Sequence, residues 1–342
     1  MFILFHEGGN PMKNLLYVIL SCLFIISLPI NLFGRDINKD YHESYEVKPG
    51  DMLSLRHGDG NVFISTWDKD VVDIDVHFSA SIFSLGDNEY KFEVTFEQRG
   101  NTIEVREHTR PDHYIGIRGL TIDQYKYIIQ APKYLILDLR GDDGDIDIRD
   151  ITGNISCRLS DGDVTLNNIT TKMLTLNMED GSLKMNDIKA EMEIKIDDGD
   201  VNISDYEGES CTVDFGDGQF EMNRASGNFD LRGDDGDIEL HRISAGTLKA
   251  STNDGDIYVD LRKSKTPNIE LKTDDGKVIM DFDATISTKI KIETDDGRID
   301  TDLSNPEYER KKPSYYFSEV HGGQGQIHIR TNDGDVILRE AG

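Results

Sequence analysis

The residues with the clearest chemical potential are the aspartates on either side of a glycine in a recurring Asp-Gly-Asp sequence. Carboxylate oxygens are the ligands that Ca²⁺ prefers, and equivalent acids on stacked strands would repel one another unless a cation lay between them. The sequence therefore suggests calcium ligands at four of these corners. The candidates are Asp143, Asp145, Asp198, Asp200, Asp235, Asp237, Asp254 and Asp256.

Turn chemistry offers a second interpretation of the same aspartates. Aspartate accepts hydrogen bonds from nearby backbone N–H groups and glycine adopts positive φ, so Asp-Gly can recur at turns without any metal. Lys277 and Arg298 replace the aspartate after the glycine in two copies and offset the negative charge without an ion. The opposite corners, such as Ile151-Thr-Gly-Asn154, lack the glycine-rich nonapeptide of calcium-binding β-rolls. The pattern favours turn chemistry, with specific calcium sites as the alternative.

Paired carboxylates could also hydrolyse glycosidic bonds, as they do in enzymes that cut polysaccharides. That chemistry needs two carboxylates in different environments. Here the same pair recurs in nearly every repeat, so no acid or base is distinguished. The histidines do not form a metal-ligand spacing, and the sequence contains no nucleophile elbow or phosphate loop. We predict no catalytic residues and no cofactor, calcium excepted.

An internal repeat positions these aspartates. In all eleven copies an aspartate precedes the glycine, and from the second to the eighth copy the spacing alternates between 18 and 19 residues. The positions seven and five residues before each glycine, and two and four after it, are apolar in 43 of 44 cases, Thr301 being the exception. Such alternation predicts strands with one buried and one solvated face. The glycines are Gly60, Gly144, Gly162, Gly181, Gly199, Gly218, Gly236, Gly255, Gly276, Gly297 and Gly334.

Two all-β architectures fit this repeat. Asp-Gly can close a two-residue hairpin, which would produce an antiparallel meander. Alternatively, each unit of 18–19 residues forms one coil of a single-stranded β-solenoid, in which equivalent positions stack about 4.8 Å apart. A solenoid gives every unit the same neighbours above and below, which accounts for the similarity of the units. We therefore predict a β-solenoid, similar to a β-helix, with an N-terminal β-hairpin insertion.

The repeat divides the chain into four parts. Residues 1–34 form a signal peptide, 35–71 supply the first strands and the first coil, 72–136 form a β-strand insertion, and 137–342 form the solenoid. The hairpin within the first insertion turns at Gly100-Asn101. A second insertion, a loop at 304–325, interrupts the last coil.

The N-terminal segment has the features of a secretory signal peptide. Lys13 provides a positive start, an apolar run covers residues 15–28, and the small residue Gly34 marks the exit. Translation is expected to begin at Met12, because residues 1–11 resemble an over-extended start. We predict an exported protein of the periplasm, the cell surface or the extracellular space. It would contact a membrane only through this segment, if the segment is not cleaved.

Net charge limits the partners. With 65 acidic and 37 basic residues, the formal net charge of −28 disfavours binding to nucleic acid or to an anionic membrane surface. A content of 37% hydrophobic residues still allows a packed core. Cys157 and Cys211 fall three coils apart. At roughly 14 Å by the strand spacing they are beyond the reach of a disulfide, so we expect two buried thiols.

Several short stretches in a fixed order resemble a known bacterial family. They run from Val47-Lys-Pro-Gly50 and Leu53-Ser-Leu55 through residues 60–68 to residues 127–132, and continue in the recurring Gly-Asp-apolar-x-apolar coils. Over residues 45–340 this order is similar to the bacterial putative-adhesin domain of unknown function, which is built from repeated β-strands. The resemblance implies a β-helix-like fold and export to the cell envelope, and it supplies no established catalytic residues. This chain departs from the family in having Asp-Gly-Asp where members often have Ser-Gly-Asp.

Together these observations predict a non-catalytic, exported β-solenoid that acts as an adhesin-like interaction scaffold at the cell envelope or surface. Its partner would be an envelope or surface protein or a glycan. A calcium-stabilised secreted binding module and a polysaccharide-acting β-helix enzyme are the alternatives.

Overall fold

The computed structural model describes residues 33–84, 91–110, 118–303 and 306–341, which form 25 β-strands. Within these residues no helix is present that could cross a membrane. The predicted signal peptide lies outside the described residues except for its last two positions, which begin the first strand. The strands are β1 (Phe33–Glu46), β2 (Met52–Arg56), β3 (Asn61–Trp67), β4 (Val71–Ser84), β5 (Lys91–Arg99), β6 (Thr102–Arg110), β7 (Arg118–Pro132), β8 (Ile136–Asp143), β9 (Ile146–Arg149), β10 (Ile155–Asp161), β11 (Val164–Asp180), β12 (Leu183–Asp198), β13 (Val201–Glu207), β14 (Cys211–Asp217), β15 (Phe220–Gly233), β16 (Ile238–Ser251), β17 (Ile257–Leu261), β18 (Asn268–Lys272), β19 (Val278–Asp283), β20 (Thr288–Thr294), β21 (Ile299–Asp302), β22 (Tyr308–Lys312), β23 (Tyr315–Val320), β24 (Gly325–Thr331) and β25 (Val336–Ala341).

Most strands stack in parallel around one hydrophobic interior. Leu139, Cys157 and Leu176, which occupy the same position in three successive coils, are register partners on β8, β10 and β11. The strands before the Asp-Gly corners form a pre-corner wall in the order β6-β2-β8-β10-β11-β12-β14-β15-β16-β18-β24-β20. The strands after the corners form a post-corner wall in the order β7-β3-β9-β11-β12-β13-β15-β16-β17-β19-β25-β21. The long strands β11, β12, β15 and β16 pass from one wall to the other and so belong to both.

Burial follows the alternation of the sequence. All 43 apolar positions counted from the corner glycines are buried, and Thr301 is half-buried. Removing a Val, Leu or Ile side chain from water contributes about 1.5–3 kcal/mol of gross stabilisation, and here these side chains form one continuous column. The predicted all-β solenoid is confirmed, because equivalent positions pair in parallel between coils. An antiparallel meander would instead pair the two strands on either side of each corner.

The corner glycines are needed for two different reasons. One group adopts positive φ, as turn chemistry predicts; its members are Gly144, Gly162, Gly181, Gly199 and Gly218. The corner glycines from Gly236 onwards lie outside that region, and like Gly162, Gly181, Gly199 and Gly218 they approach the adjacent coil very closely. A Cβ on Gly255 would lie 2.1 Å from the carbonyl oxygen of Gly236. At these corners the absence of a side chain, rather than an unusual φ, allows the coils to stack.

The insertion at 72–136 closes the N-terminal end of the stack. β4 pairs antiparallel with both β1 and β7, and β7 joins the post-corner wall beside β3. β5 and β6 form the predicted hairpin, and β6 joins the pre-corner wall beside β2. Phe78 and Phe92 stack with 4.1 Å between ring centroids, and Tyr125 lies edge-on to both. Since Tyr125 also packs against Gly60, this aromatic cluster covers the first corner.

At the C-terminal end the coils do not stack in chain order. β24 and β25, which flank the last Asp-Gly corner, lie between β18/β19 on one side and β20/β21 on the other. The corner glycines accordingly stack in the order Gly276, Gly334, Gly297. The segment 304–325, predicted as a loop insertion, contains β22 and β23, which form an antiparallel hairpin, and β23 covers the outer edge of β20. The last coil of the sequence is therefore an internal coil of the structure.

The two cysteines of the solenoid lie in its interior. Cys157 and Cys211 are both buried and free, as their separation in the repeat predicts. Burial raises the pKa of the Cys157 thiol to about 12 and raises that of Cys211 as well. Both thiols are therefore protonated at neutral pH and act as small apolar core groups.

Candidate functional site

The aspartates before the corner glycines form a column along one edge of the solenoid. Equivalent aspartates are register partners on neighbouring strands, as Asp180 is with Asp198. Partial desolvation, followed by the charges of Asp254 and Asp217, raises the pKa of Asp235. Asp235 therefore interacts electrostatically with its neighbours in this column. Its four calcium candidates, all exposed, are Asp143, Asp198, Asp235 and Asp254.

The aspartates after the corner glycines make a different contact. Each candidate at this position accepts a hydrogen bond from a backbone N–H of the next coil: the distance is 2.7 Å from the N–H of Asp256 to Asp237, and 2.7 Å from that of Lys277 to Asp256. The complete set is Asp145, Asp200, Asp237 and Asp256. Turn chemistry therefore gives these four aspartates a structural role, and calcium coordination remains a prediction.

The described residues contain one group of three metal-ligand side chains whose ligand atoms lie within 4.8 Å of one another, and it lies away from the corners. It consists of His42, Asp73 and Asp75, on the exposed face of β1 and β4. The Nδ1 atom of His42 lies 2.8 Å from Asp75 Oδ1, and this hydrogen bond, with the nearby Asp73 charge, raises the pKa of His42. Sequence reasoning did not find this group, because it depends on the β1–β4 register.

A cavity of about 400 Å³ lies where the insertion meets the first two coils. Arg56 and Arg140 line it on the pre-corner wall, and Asp59, Glu107 and Asp142 provide three carboxylates. Hydrogen-bond donors and acceptors therefore face the same space. Such convergence of polar groups on a cavity is typical of a binding site for a small polar ligand.

Glu107 is held in a defined position at this cavity. Its Oε2 atom accepts hydrogen bonds from the backbone N–H of Gly58 at 2.7 Å and from the hydroxyl of Tyr127 at 3.1 Å. The hydroxyl of Tyr125 donates to the same oxygen. Burial, assisted by the charge of Glu107, raises the pKa of Tyr127, so that its hydroxyl remains a donor. A carboxylate fixed by three donors changes little in orientation when a ligand enters.

His57 forms part of the cavity lining and is only 6% exposed. Its Nδ1 atom lies 3.0 Å from the carbonyl oxygen of Gly58. Since a carbonyl oxygen can only accept, Nδ1 carries the proton and Nε2 the lone pair. Nε2 is buried and has no hydrogen-bond partner within the described part of the chain. Burial lowers the pKa of His57 to about 4, so the imidazole is neutral at physiological pH.

Arginines form a column on the outer face of the pre-corner wall, beginning at this cavity. They occupy one register on the adjacent strands β6, β2, β8 and β10, and are Arg106, Arg56, Arg140 and Arg158. Arg56 Nη2 lies 2.8 Å from Asp138 Oδ2, while Arg140 Nε reaches the same carboxylate only at 3.8 Å. Arg158 is exposed and makes no ion pair or side-chain hydrogen bond with any described residue. We refer to these four residues as the arginine column.

The sequence contained part of the signal for this site. Arg56, Arg140 and Arg158 each lie four residues before a corner glycine, so their alignment follows from the repeat itself. Arg106 and Glu107 belong to the insertion and reach the site only through the β2–β6 pairing. That pairing could not be deduced from the repeat, and the site was missed for this reason.

Comparisons with known proteins identify the family. The model of the family described as Toastrack DUF4097 matches residues 51–231 and 224–339. Solved structures with similarity include a putative cell adhesion protein from Clostridium sporogenes, 12% identical, covering 89% of this chain and 100% of that one, with a TM-score of 0.20. A putative adhesin from Bacteroides fragilis is 13% identical, covering 88% and 97%, with a TM-score of 0.34. One from Parabacteroides distasonis is 12% identical over the same shares, with a TM-score of 0.33. A comparison with curated proteins finds no match.

Proposed function

The chain belongs to the Toastrack DUF4097 family, and on this premise we propose that it is a non-catalytic, exported β-solenoid that acts as an adhesin-like interaction scaffold at the cell envelope or surface. The observation that supports this best is the unbroken stack of coils, in which all 43 apolar repeat positions are buried and the intervening side chains are directed outwards. Eleven coils stacked about 4.8 Å apart form a rod about 50 Å long. Such a rod presents fixed rows of side chains to an envelope or surface protein or to a glycan.

Two features support the finer parts of this proposal. The pattern of residues 1–34 supports export. The recurrence of the same carboxylate pair at corner after corner supports a non-catalytic role, because no single pair is set apart from the others as an acid and a base. Polysaccharide cleavage would need such a pair.

Display and adhesion can be tested together in cells. A strain lacking the chain is complemented either with the wild-type sequence from Met12 or with a variant that keeps Met12 and lacks residues 13–34. We expect that protease added to intact cells cleaves the wild-type chain and that these cells are retained on envelope-coated plates. The variant should remain inside the cell and restore no retention. Retention that is independent of the chain, or a wild-type chain confined to the cytoplasm, would contradict the proposal.

The column of aspartates before the corner glycines favours a second candidate, a calcium-stabilised module. Desolvation, followed by the charges of Asp254 and Asp217, raises the pKa of Asp235, and a divalent cation would relieve the repulsion between these carboxylates. If calcium binds there, the Tm should rise with millimolar CaCl₂ and fall in chelator, and Asp235→Asn should reduce the rise. MgCl₂ at the same ionic strength is the control for screening. An identical Tm in calcium and chelator would exclude this candidate.

A further inference from the structure

We propose that the cavity at the N-terminal end and the arginine column together form a binding site for an acidic saccharide. The saccharide carboxylate would contact Arg140 and Arg158, and its hydroxyl groups would contact the carboxylates of the cavity. This inference rests on the proposed function, because it identifies the class of ligand that the scaffold binds.

The arginine column calls for an anion. Like charges on adjacent strands repel one another, and here four arginines occupy one register with strands about 4.8 Å apart. Arg106 pairs with Glu104 at 3.0 Å, and Arg56 pairs with Asp138 at 2.8 Å. Asp138 reaches Arg140 only at 3.8 Å, and Arg158 has no partner among the described residues. Arg140 and Arg158 are register neighbours and both are exposed. A carboxylate placed between their guanidinium groups would accept charge-assisted hydrogen bonds from both.

The cavity selects among anions. Asp59, Glu107 and Asp142 would repel a ligand that carries negative charge over its whole surface, such as a polyphosphate or a nucleic acid. Sugar hydroxyls, by contrast, donate hydrogen bonds to carboxylates and accept them from arginine. A ligand with one carboxylate per ring and several hydroxyls matches both halves of the site.

The dimensions of the site are compatible with such a ligand. A volume of about 400 Å³ lies within the range of small-ligand sites. Glu107 is already oriented by Gly58 and the two tyrosines, so little ordering is required when a ligand binds. Gly141 leaves space for the ring of His57: a Cβ at that position would lie 2.3 Å from His57 Cε1. His57 and Gly141 therefore form a close-packed part of the cavity lining.

Isothermal titration calorimetry with trigalacturonate, a linear uronate, tests the site on the mature chain at low salt. We expect saturable binding that Arg140→Gln or Arg158→Gln weakens about tenfold or more, as loss of a charge-assisted hydrogen bond would. Arg330→Gln is the matched control, because Arg330 occupies the same repeat position, is exposed, and likewise makes no side-chain ion pair or hydrogen bond with a described residue. This variant should bind within about twofold of wild type. Unchanged Tm values verify that the variants fold.

Four outcomes would overturn the inference. Equal affinity for maltotriose would show that the carboxylate is irrelevant, and full competition by inorganic phosphate would show an anion site without saccharide selectivity. An equal loss of affinity in the Arg330 variant would indicate binding to charge in general, and absence of binding at millimolar trigalacturonate would exclude the site. Failure of the saccharide site can be distinguished from failure of the proposed function. If cells that carry the Arg158→Gln variant are still retained on envelope-coated plates, only the saccharide site is refuted.

Discussion

At the scale of single residues, His57 shows how burial can make stability depend on pH. Its pKa is about 4 in the folded chain, against an ordinary value of 6.5. Between these values the unfolded chain binds a proton that the folded chain does not. The contribution of His57 to stability is therefore present above pH 6.5 and is lost as the pH falls towards 4.

We therefore expect the free energy of unfolding to fall by about 3 kcal/mol between pH 7 and pH 4 through His57 alone, at 1.36 kcal/mol per pKa unit. Leu159 occupies the position in its own repeat that His57 occupies in the first. The substitution His57→Leu should therefore be accommodated and should remove this part of the pH dependence. Urea unfolding at a series of pH values measures it. His42→Gln is the control. The pKa of His42 is raised, so its protonation favours the folded chain, and the loss of stability between pH 7 and pH 4 should persist in this variant. An equal acid-side loss in His57→Leu and wild type would refute the assignment.

The corner glycines allow a second test at this scale. In Gly255→Ala the new Cβ would lie 2.1 Å from the carbonyl oxygen of Gly236, so the backbone must shift. In Gly246→Ala the nearest atom is the Oδ1 of Asn228 at 3.2 Å, so a shift of a few tenths of an ångström is enough to accommodate the methyl group. We expect the first variant to lower the free energy of unfolding by about 1–3 kcal/mol or more, as overpacking does, and the second to change it little. Equal effects of the two substitutions would show that close stacking is not the reason for glycine.

At the scale of elements, buried threonines stabilise the later corners. Each lies three residues before a corner glycine, and the set is Thr252, Thr273, Thr294 and Thr331. Thr273 Oγ1 lies 3.0 Å from two carbonyl oxygens of the preceding coil and accepts a hydrogen bond from the N–H of Gly276 at 3.1 Å. These hydroxyls join adjacent coils and add to backbone hydrogen bonds at the same corners, such as that from the N–H of Asp274 to the carbonyl oxygen of Asn253 at 2.8 Å.

Thr273→Val keeps the shape of the side chain but leaves the N–H of Gly276 and the carbonyl groups without this partner. We expect it to lower the free energy of unfolding by about 1–3 kcal/mol, the cost of an unsatisfied buried polar group. Thr212→Val is the matched control, because Thr212 lies on the half-exposed outer face of β14. Chemical denaturation of both variants measures the difference, and a similar loss in the control would contradict this role for the hydroxyl.

The elements also show what the sequence could predict. Period-two alternation identifies inward positions directly, because successive side chains of a strand point to opposite faces. The apolar repeat positions, from Leu53 in the first coil to Leu338 in the last, are buried accordingly. The arginine column follows partly from the repeat, because Arg140 and Arg158 occupy equivalent positions. The position of Glu107 does not follow from the repeat, because the pairing between β6 of the insertion and β2 is a tertiary contact with no counterpart in the repeat.

At the scale of the whole molecule, the order of the last coils is the feature that the sequence did not predict. All coils have similar interiors, so β24 and β25 could in principle stack on any free end. In the structure they lie inside the stack, because β23 turns back along β20 and occupies its outer edge. The tight turn at residues 321–324, which contains positive φ at His321, Gly322 and Gly323, then leads the chain into the remaining position beside β18.

Because β24 and β25 lie inside the stack, we expect the C-terminal residues to stabilise the coils on both sides of them. Without β24 and β25, the coil of β18 and β19 and the coil of β20 and β21 would each lose the neighbour that pairs with them. Loss of a coil at the end of the stack would expose only one neighbouring coil. A chain ending at Val320 should therefore unfold at a lower Tm and bind a hydrophobic dye near its C-terminal end. Adding a synthetic peptide of residues 321–341 should restore both properties, because the interior side chains Ile327 and Ile329 again fill the gap. The same peptide with aspartate at these two positions is the control and should restore neither, since it would bury unpaired charges. A truncated chain with the Tm of the full chain would show that the last coil is peripheral after all.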